Sequence, residues 1–315
     1  MSSVLVTGAS GFIGRELVTV LEEKGFTVTA VARSWFAGKI QGRIVLSDLE
    51  TLTTSAAHFE NIECIVHLAG RAHVLNESYS DPIEVFRKVN RDLTIELAKK
   101  AIRSGVKRFI FVSSIGVNGR PADGSRLDEL SSPNPQAAYA VSKYEAEQEL
   151  IRLLAPTSVE LVIVRPPLVY ASSAPGNFHR LLKLVKTGLP LPFAGVDNLR
   201  SMIALENLVD FLTLCIDHPA AADELYLISD GVDLSTPGII KHISAGMGRQ
   251  ANLVSVPKNL MKVGAALLGK QQIYSQLCES LIIDSSKART ELGWAPLISV
   301  NEALKQAGRR FLAGG

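Results

Sequence analysis

The chain has 315 residues, 47% hydrophobic and 20% charged, with 33 Lys and Arg against 31 Asp and Glu for a formal net charge of +2. That length holds one large α/β domain plus a smaller one, and the near balance of charge gives no reason to expect a nucleic-acid or anionic-membrane partner. Three separated cysteines (Cys64, Cys215, Cys278) and six histidines show neither a disulfide framework nor metal-ligand spacing, no leader precedes the first strand, and no apolar run reaches bilayer length; the expectation is a metal-free cytoplasmic protein without membrane insertion.

Val4-Leu5-Val6 reads as a short buried strand. It feeds Thr7-Gly8-Ala9-Ser10-Gly11-Phe12-Ile13-Gly14 and then a helix with Leu17, Val18 and Leu21 on one face and Gly25 as its stop. Glycines there let backbone approach a pyrophosphate, and the helix start offers unpaired N–H groups. Gly8, Ser10, Gly11, Phe12, Ile13 and Gly14 are therefore candidate dinucleotide ligands. The second strand, Thr27 to Ala32, ends at Ala32-Arg33, with no acid to hold a ribose hydroxyl and a cation able to accept a 2′-phosphate. This favours NADP(H); with Arg33 merely solvated, NAD(H) is possible. Strands are expected at Arg43 to Leu46 and Ile62 to Ala69. Asp48 and Leu49 could meet the adenine, or serve only as turn residues. Leu68, Ala69 and Gly70 fall where a parallel sheet exposes its carboxyl edge to ligand. His67 reads as a packed core residue, and His73 as a loop residue that could touch substrate.

Asp81-Pro82 starts a helix expected to run unbroken to Ser104, carrying Asn90. Lys107 to Val112 is a strand that delivers Ser113-Ser114, and Val159 to Val164 another that ends at Arg165-Pro166-Pro167. Beyond lie a small-residue loop from Ala171 and a basic helix from Asn177, where Asn177 is an N-cap candidate and Lys183 and Lys186 a solvated face. An apolar helix (Leu205 to Ile216), a strand (Leu225 to Ile228) and helices begun by Ser235-Thr236-Pro237 and by Ser299 with Glu302 complete the chain. Residues 1–168, with about 203–230 returning, are assigned to a dinucleotide-binding domain, and 169–315 to a smaller, interleaved substrate domain. The fold class is α/β, a Rossmann-type doubly wound parallel sheet.

Tyr139-Ala140-Val141-Ser142-Lys143 places a phenol and an ammonium four residues apart, on one helix face. A free tyrosine, with a pKa of about 10, exchanges protons poorly near neutrality. A neighbouring cation is expected to lower that pKa toward useful acid–base range.

These segments, with His67-Leu68-Ala69-Gly70, Phe111-Val112-Ser113-Ser114 and Arg165-Pro166-Pro167-Leu168-Val169-Tyr170, resemble the extended short-chain dehydrogenase/reductases of the NAD-dependent epimerase/dehydratase family along nearly the whole chain. The nearest resemblance is to bacterial UDP-glucose 4-epimerase-like and UDP-N-acetylquinovosamine dehydrogenase enzymes of surface-polysaccharide (O-antigen) synthesis. The resemblance implies Tyr139 as catalytic acid/base, Lys143 as the residue that holds the nicotinamide ribose, and Ser114 as the group that orients the substrate oxygen. It also implies Asn90 as a site support, Pro167 beside the nicotinamide, and Asn177 and Arg200 at the nucleotide-sugar diphosphate. A homodimer packed through helices 81–104 and 139–154 is implied as well. Ile115-Gly116 stand where sugar dehydratases carry an Asp-Glu pair, so dehydration lacks its acid and base. No arginine occurs from Cys278 to Asp284, where related epimerases carry a diphosphate ligand.

The expected activity is hydride transfer at C4 of a UDP-linked sugar, foremost reduction of a 4-keto-6-deoxy-hexosamine. The alternative is 4-epimerisation with tightly bound NAD. A non-catalytic dinucleotide sensor could dispense with Ser114, Tyr139 and Lys143, and all three are present.

Overall fold

The computed structural model describes residues 2–35, 41–54, 58–71, 82–121 and 124–314. His73 and Asp81 lie outside the described residues.

Among the described residues, nine strands form two sheets: β1 (Ser3–Thr7), β2 (Thr27–Ala32), β3 (Arg43–Leu46), β4 (Cys64–His67), β5 (Arg108–Val112), β6 (Glu160–Arg165), β7 (Leu168–Tyr170), β8 (Met202–Ala204) and β9 (Leu225–Leu227). The large sheet is parallel throughout and runs β3-β2-β1-β4-β5-β6-β9. The chain leaves β3 at one edge and re-enters beside β1 as β4. The switch point of a doubly wound sheet therefore opens at the carboxyl ends of β1 and β4, where such sheets bind ligands. β7 and β8 form a separate parallel pair.

The helices are α1 (Phe12–Glu23), α2 (Leu49–Thr54), α3 (Pro82–Arg87), α4 (Leu93–Arg103), α5 (Ala138–Leu154), α6 (Asn177–Lys186), α7 (Leu205–Asp217), α8 (Thr236–Gly246), α9 (Lys258–Leu267), α10 (Gln271–Cys278), α11 (Ser286–Leu292) and α12 (Val300–Leu312). Apolar residues on both faces of the strands account for the two layers around the sheet. Leu17, Val18 and Leu21 of α1 and Leu208, Phe211 and Leu212 of α7 cover one face. Leu97, Ala98 and Ala101 of α4 and Ala146 and Leu150 of α5 cover the other. A third core, with Phe178, Leu182, Ile240 and Leu304, joins α6, α8 and α12, and partly buried Phe12 packs against both this core and the first.

A buried ion pair fixes α5 against the sheet. Arg165 Nε donates to Glu147 Oε1 at 3.0 Å and Nη1 to Asn118 Oδ1 at 3.0 Å, with both charged side chains almost fully enclosed. Removing either partner would strand a buried charge, so the pair specifies where α5 lies. Glu147 follows Lys143 by one turn, and the same constraint positions the Tyr139–Lys143 face.

The unbroken helix expected from 81 to 104 is instead interrupted: α3 passes through a π turn at Lys88–Asp92 before α4 begins. Asn90 lies in that wide turn, fully buried, where its side chain bonds the backbone of Arg71. One residue more than α-helical spacing turns Asn90 inward to make those bonds. Asn177 is the first residue of α6; Gly176 takes the N-cap position expected for it.

Candidate active site

β1 delivers the glycine turn to the switch point. Gly8 has φ +70, a backbone conformation that disfavours any side chain, and a Cβ there would lie 2.8 Å from the Ala69 amide nitrogen. A Cβ on Gly14 would fall 2.2 Å from the Gly8 carbonyl oxygen. Strand, turn and helix thus pack with no space for side chains between them. Gly11 caps α1 without a side-chain hydrogen bond, and no acid stands in the first turn. The first-turn amides are left for an anion.

β5 and α5 bring the reactive groups to the same place. A cavity of about 230 Å³ is lined by Ile13, Leu68 and Gly70, by Val112, Ser113 and Ser114, by Tyr139 and Lys143, and by Pro166, Pro167 and Val169. Ser114, Tyr139, Lys143 and Pro167 therefore share one cavity with Ile13 of the glycine segment. Ser114 Oγ accepts from the Gly116 amide at 3.1 Å, which leaves its own proton free to donate to a ligand oxygen. Lys143 Nζ donates to the Val112 carbonyl at 3.0 Å and lies 4.4 Å from the centre of the Phe111 ring. A larger hollow of about 520 Å³ lies at the opposite end of β6, between α5 and β9, away from these residues.

The electrostatics correct one expectation. The Tyr139 phenol is not lowered by its neighbour: burial pushes it up to about 12. Lys143 is itself drawn down to about 8 by burial, with the Glu147 carboxylate pulling the other way. The ammonium is directed at the Val112 carbonyl and the Phe111 face, so the desolvation of the phenol goes unopposed.

A buried polar relay ties the glycine turn to the tyrosine helix. Thr7 Oγ1 lies 2.7 Å from His67 Nδ1, and His67 Nε2 lies 2.9 Å from Thr94 Oγ1. Thr94 Oγ1 donates to the Asn90 carbonyl at 2.8 Å. Asn90 Nδ2 then donates to Ser142 Oγ at 3.0 Å, and Ser142 Oγ to the Tyr139 carbonyl at 2.8 Å. His67 is a core residue, as read from the sequence, yet both of its ring nitrogens are engaged.

The remaining candidates do not line this cavity. Asp48 Oδ1 accepts from the Thr51 amide at 2.8 Å and caps α2, while Leu49 is buried under the sheet. Arg33 stands exposed at the end of β2. Asn177 is exposed, with Oδ1 3.4 Å from Arg180 Nη1, and does not line the cavity. Arg200 lies outside the cavity lining too, where Nη1 donates to the Glu279 carbonyl oxygen at 3.2 Å.

Two residues not singled out for these roles emerge from the geometry. Arg120 forms an ion pair with the Glu279 carboxylate, and its charge, after burial, is the second influence that lowers Arg200 to about 10. Two guanidinium groups are thus held close to Glu279, Arg120 on its carboxylate and Arg200 on its backbone carbonyl. Ser113 Oγ is the one buried side-chain nitrogen or oxygen among the described residues that lacks a hydrogen-bond partner, and it lines the cavity. Such groups are rare and mark a place where a ligand can complete the bonding. The side-chain-free cradle at Gly8 and Gly14, the free start of α1 and the Ser113 hydroxyl together fit a nicotinamide dinucleotide.

Comparison with known proteins agrees with the geometry. The NAD dependent epimerase/dehydratase family matches residues 4–229. A Vibrio cholerae protein described as UDP-glucose 4-epimerase is 37% identical over 98% of this chain and 95% of its own length. Among solved structures, a UDP-glucose 4-epimerase with UDP-glucose from Thermotoga maritima superposes with a TM-score of 0.78 at 22% identity, covering 99% of both chains. A UDP-glucuronic acid 4-epimerase from Bacillus cereus with NAD gives 0.78 at 20% identity, again over 99% of both. At that identity the structures speak for the fold, and the family match and the Vibrio cholerae relative for kinship. The chain belongs to the NAD dependent epimerase/dehydratase family of enzymes.

Proposed function

We propose that this chain is a C4 oxidoreductase of a UDP-linked hexose, working in the epimerase mode. The observation that carries the reading is the shared cavity of Ser114, Tyr139, Lys143 and Pro167 beside the glycine turn. A bound nicotinamide supplies the hydride acceptor and donor. Tyr139, as its phenolate, takes the C4 hydroxyl proton as hydride leaves, and returns it to the same oxygen when hydride comes back on the other face of the sugar. Ser114 donates a hydrogen bond to that oxygen, which stabilises the charge that develops on it. Lys143, which in this structure is directed at the Val112 carbonyl and leaves the phenol raised, supplies the positive field that holds the phenolate once its ammonium turns toward Tyr139. Arg120 and Arg200 receive the diphosphate in place of the arginine absent from Cys278 to Asp284. A homodimer through the helical segment from α3 to α4 and through α5, and a cytoplasmic location, belong to the same proposal.

The epimerase mode is favoured by the 37% identical relative described as UDP-glucose 4-epimerase. A second reading, reduction of a UDP-4-keto-6-deoxy-hexosamine with NADPH, is favoured by Ala32-Arg33, where no acid opposes a 2′-phosphate. One experiment separates the two. Purified protein is incubated with UDP-glucose or UDP-N-acetylglucosamine, and in parallel with a UDP-4-keto-6-deoxy-hexosamine and either reduced nicotinamide. Interconversion of C4 epimers without net loss of reduced nicotinamide supports the epimerase. Stoichiometric oxidation of the nicotinamide supports the reductase, and the absence of both outcomes would overturn C4 chemistry altogether.

A further inference from the structure

We propose that the outward face of α9 docks the protein on an anionic lipid bilayer surface. α9 buries none of its residues. Leu260, Val263 and Leu267, spaced so that they share one helical stripe, face solvent with Leu267 83% exposed, and Leu268 at the helix end is 71% exposed. The half-buried positions Met261, Gly264 and Ala265 mark the side turned to the rest of the protein. Large apolar side chains so exposed on one helix are a signature of an interaction surface.

The charge around the stripe selects the partner. From Leu234 to Cys278 the sequence contains no Asp or Glu, and it carries Lys241, Arg249, Lys258, Lys262 and Lys270. Of the three lysines on α9 or just after it (Lys258, Lys262 and Lys270), only Lys258 has an ion pair among the described residues, with Asp197. A second acid-free run, residues 171–196, contributes Arg180, Lys183 and Lys186. The two runs are contiguous in space. Arg249 Nη1 donates to the Lys186 carbonyl at 2.9 Å, and the Ala194 amide to the Val254 carbonyl at 3.1 Å. Leu189, 62% exposed, belongs to the connecting loop. The near-neutral total charge of the chain conceals this asymmetry.

An exposed apolar stripe with lysines on the polar side of the same helix, and no carboxylate on it, is the arrangement that rests in the plane of an anionic membrane interface. A second copy of the chain fits less well, because a two-fold contact through α9 would bring the same lysines of both copies together. No helix among the described residues is long and apolar enough to cross a membrane, so the association is peripheral.

The test is sedimentation of the full chain with vesicles of phosphatidylglycerol and phosphatidylcholine, and with vesicles of phosphatidylcholine alone. The expected result is binding to the anionic vesicles that weakens with added salt. Lys262→Gln and Lys270→Gln should each lower the partition coefficient about fivefold. Leu267→Glu should abolish binding while the circular dichroism melt stays that of the parent; if it unfolds instead, the two lysine variants decide. Equal sedimentation with both vesicle types, or binding unchanged in the lysine variants, would overturn the proposal. So would a Leu267→Glu variant that converts a larger oligomer to a smaller one without vesicles, since the occupant would then be a second copy.

Discussion

His67 Nε2 lies 2.9 Å from the Thr94 hydroxyl, and the protons around this contact leave the imidazole a single tautomer. Thr94 gives its only hydroxyl proton to the Asn90 carbonyl, so it must accept from His67 Nε2–H. Nδ1 is then the acceptor and receives the Thr7 hydroxyl proton, while Thr7 Oγ1 accepts from the Ala69 amide at 3.3 Å. Every proton in the relay has one direction. The network holds the end of β1, the π turn of Asn90 and the backbone of Tyr139 in one fixed relation.

Thr94→Val keeps the branched shape and removes the acceptor for His67 Nε2–H. We expect a loss of about 1–3 kcal/mol in unfolding free energy, read by urea denaturation. Burial holds His67 near about 3, whereas in the unfolded chain it titrates near its ordinary value of about 6.5. Below that value the unfolded chain binds a proton the folded chain refuses. Stability should therefore fall as pH drops from about 6.5 toward 3, at up to about 1.4 kcal/mol per pH unit, and be flat in this respect above it. His242, also lowered by burial, has the same sign. Urea curves for the parent and His67→Gln should converge as pH falls toward about 5; curves that stay parallel would contradict the assignment.

Ser113 Oγ is buried without a partner. Ser113→Ala should raise the stability of the ligand-free protein by roughly 1 kcal/mol, because an unsatisfied hydroxyl is removed. The same variant should bind nicotinamide dinucleotide more weakly. Calorimetric titration of the variant beside its melting curve checks both signs; weaker folding with unchanged cofactor affinity would contradict this.

Arg120 and Arg200 converge on Glu279. If they receive a diphosphate, Arg120→Ala and Arg200→Ala should each raise KM for a UDP-sugar about tenfold or more, the worth of a charge-assisted hydrogen bond, with kcat changed far less. Initial rates over a range of UDP-sugar concentrations measure the split. A fall in kcat at constant KM would place the arginines in another role.

The residues that were legible in the sequence are those whose function is set by local pattern. The glycine turn declares itself because strand, glycines and helix are consecutive, and Tyr139 and Lys143 because one helical turn separates them. Arg120 was not legible: its partner lies 159 positions away, and only the folded chain brings Glu279 beside it. The π turn at Asn90 was hidden by a helical apolar pattern that continues on both sides of it. Asp48, weighed between adenine ligand and turn residue, accepts the Thr51 amide at the start of α2, a bond that needs only neighbouring residues and leaves the adenine reading open. α9 carries no buried face, so the periodicity that marks a core helix gives no sign of it.

Lys143 should impose its own pH dependence. Burial draws it to about 8, so its ammonium is lost as pH rises through that value. The expected result is an alkaline limb in kcat/KM near pH 8 that disappears in Lys143→Arg, whose guanidinium stays charged. An identical limb in both proteins would assign it to another group.

The most direct test of the central claim, that Tyr139 moves the C4 proton, is the turnover of Tyr139→Phe on a UDP-hexose, with dinucleotide affinity measured on the same preparation. The substitution removes one hydroxyl and keeps the ring against Phe86, whose centroid lies 6.2 Å away. The account predicts unchanged cofactor affinity and a fall in kcat of about a hundredfold or more. Retention of parental kcat would contradict it.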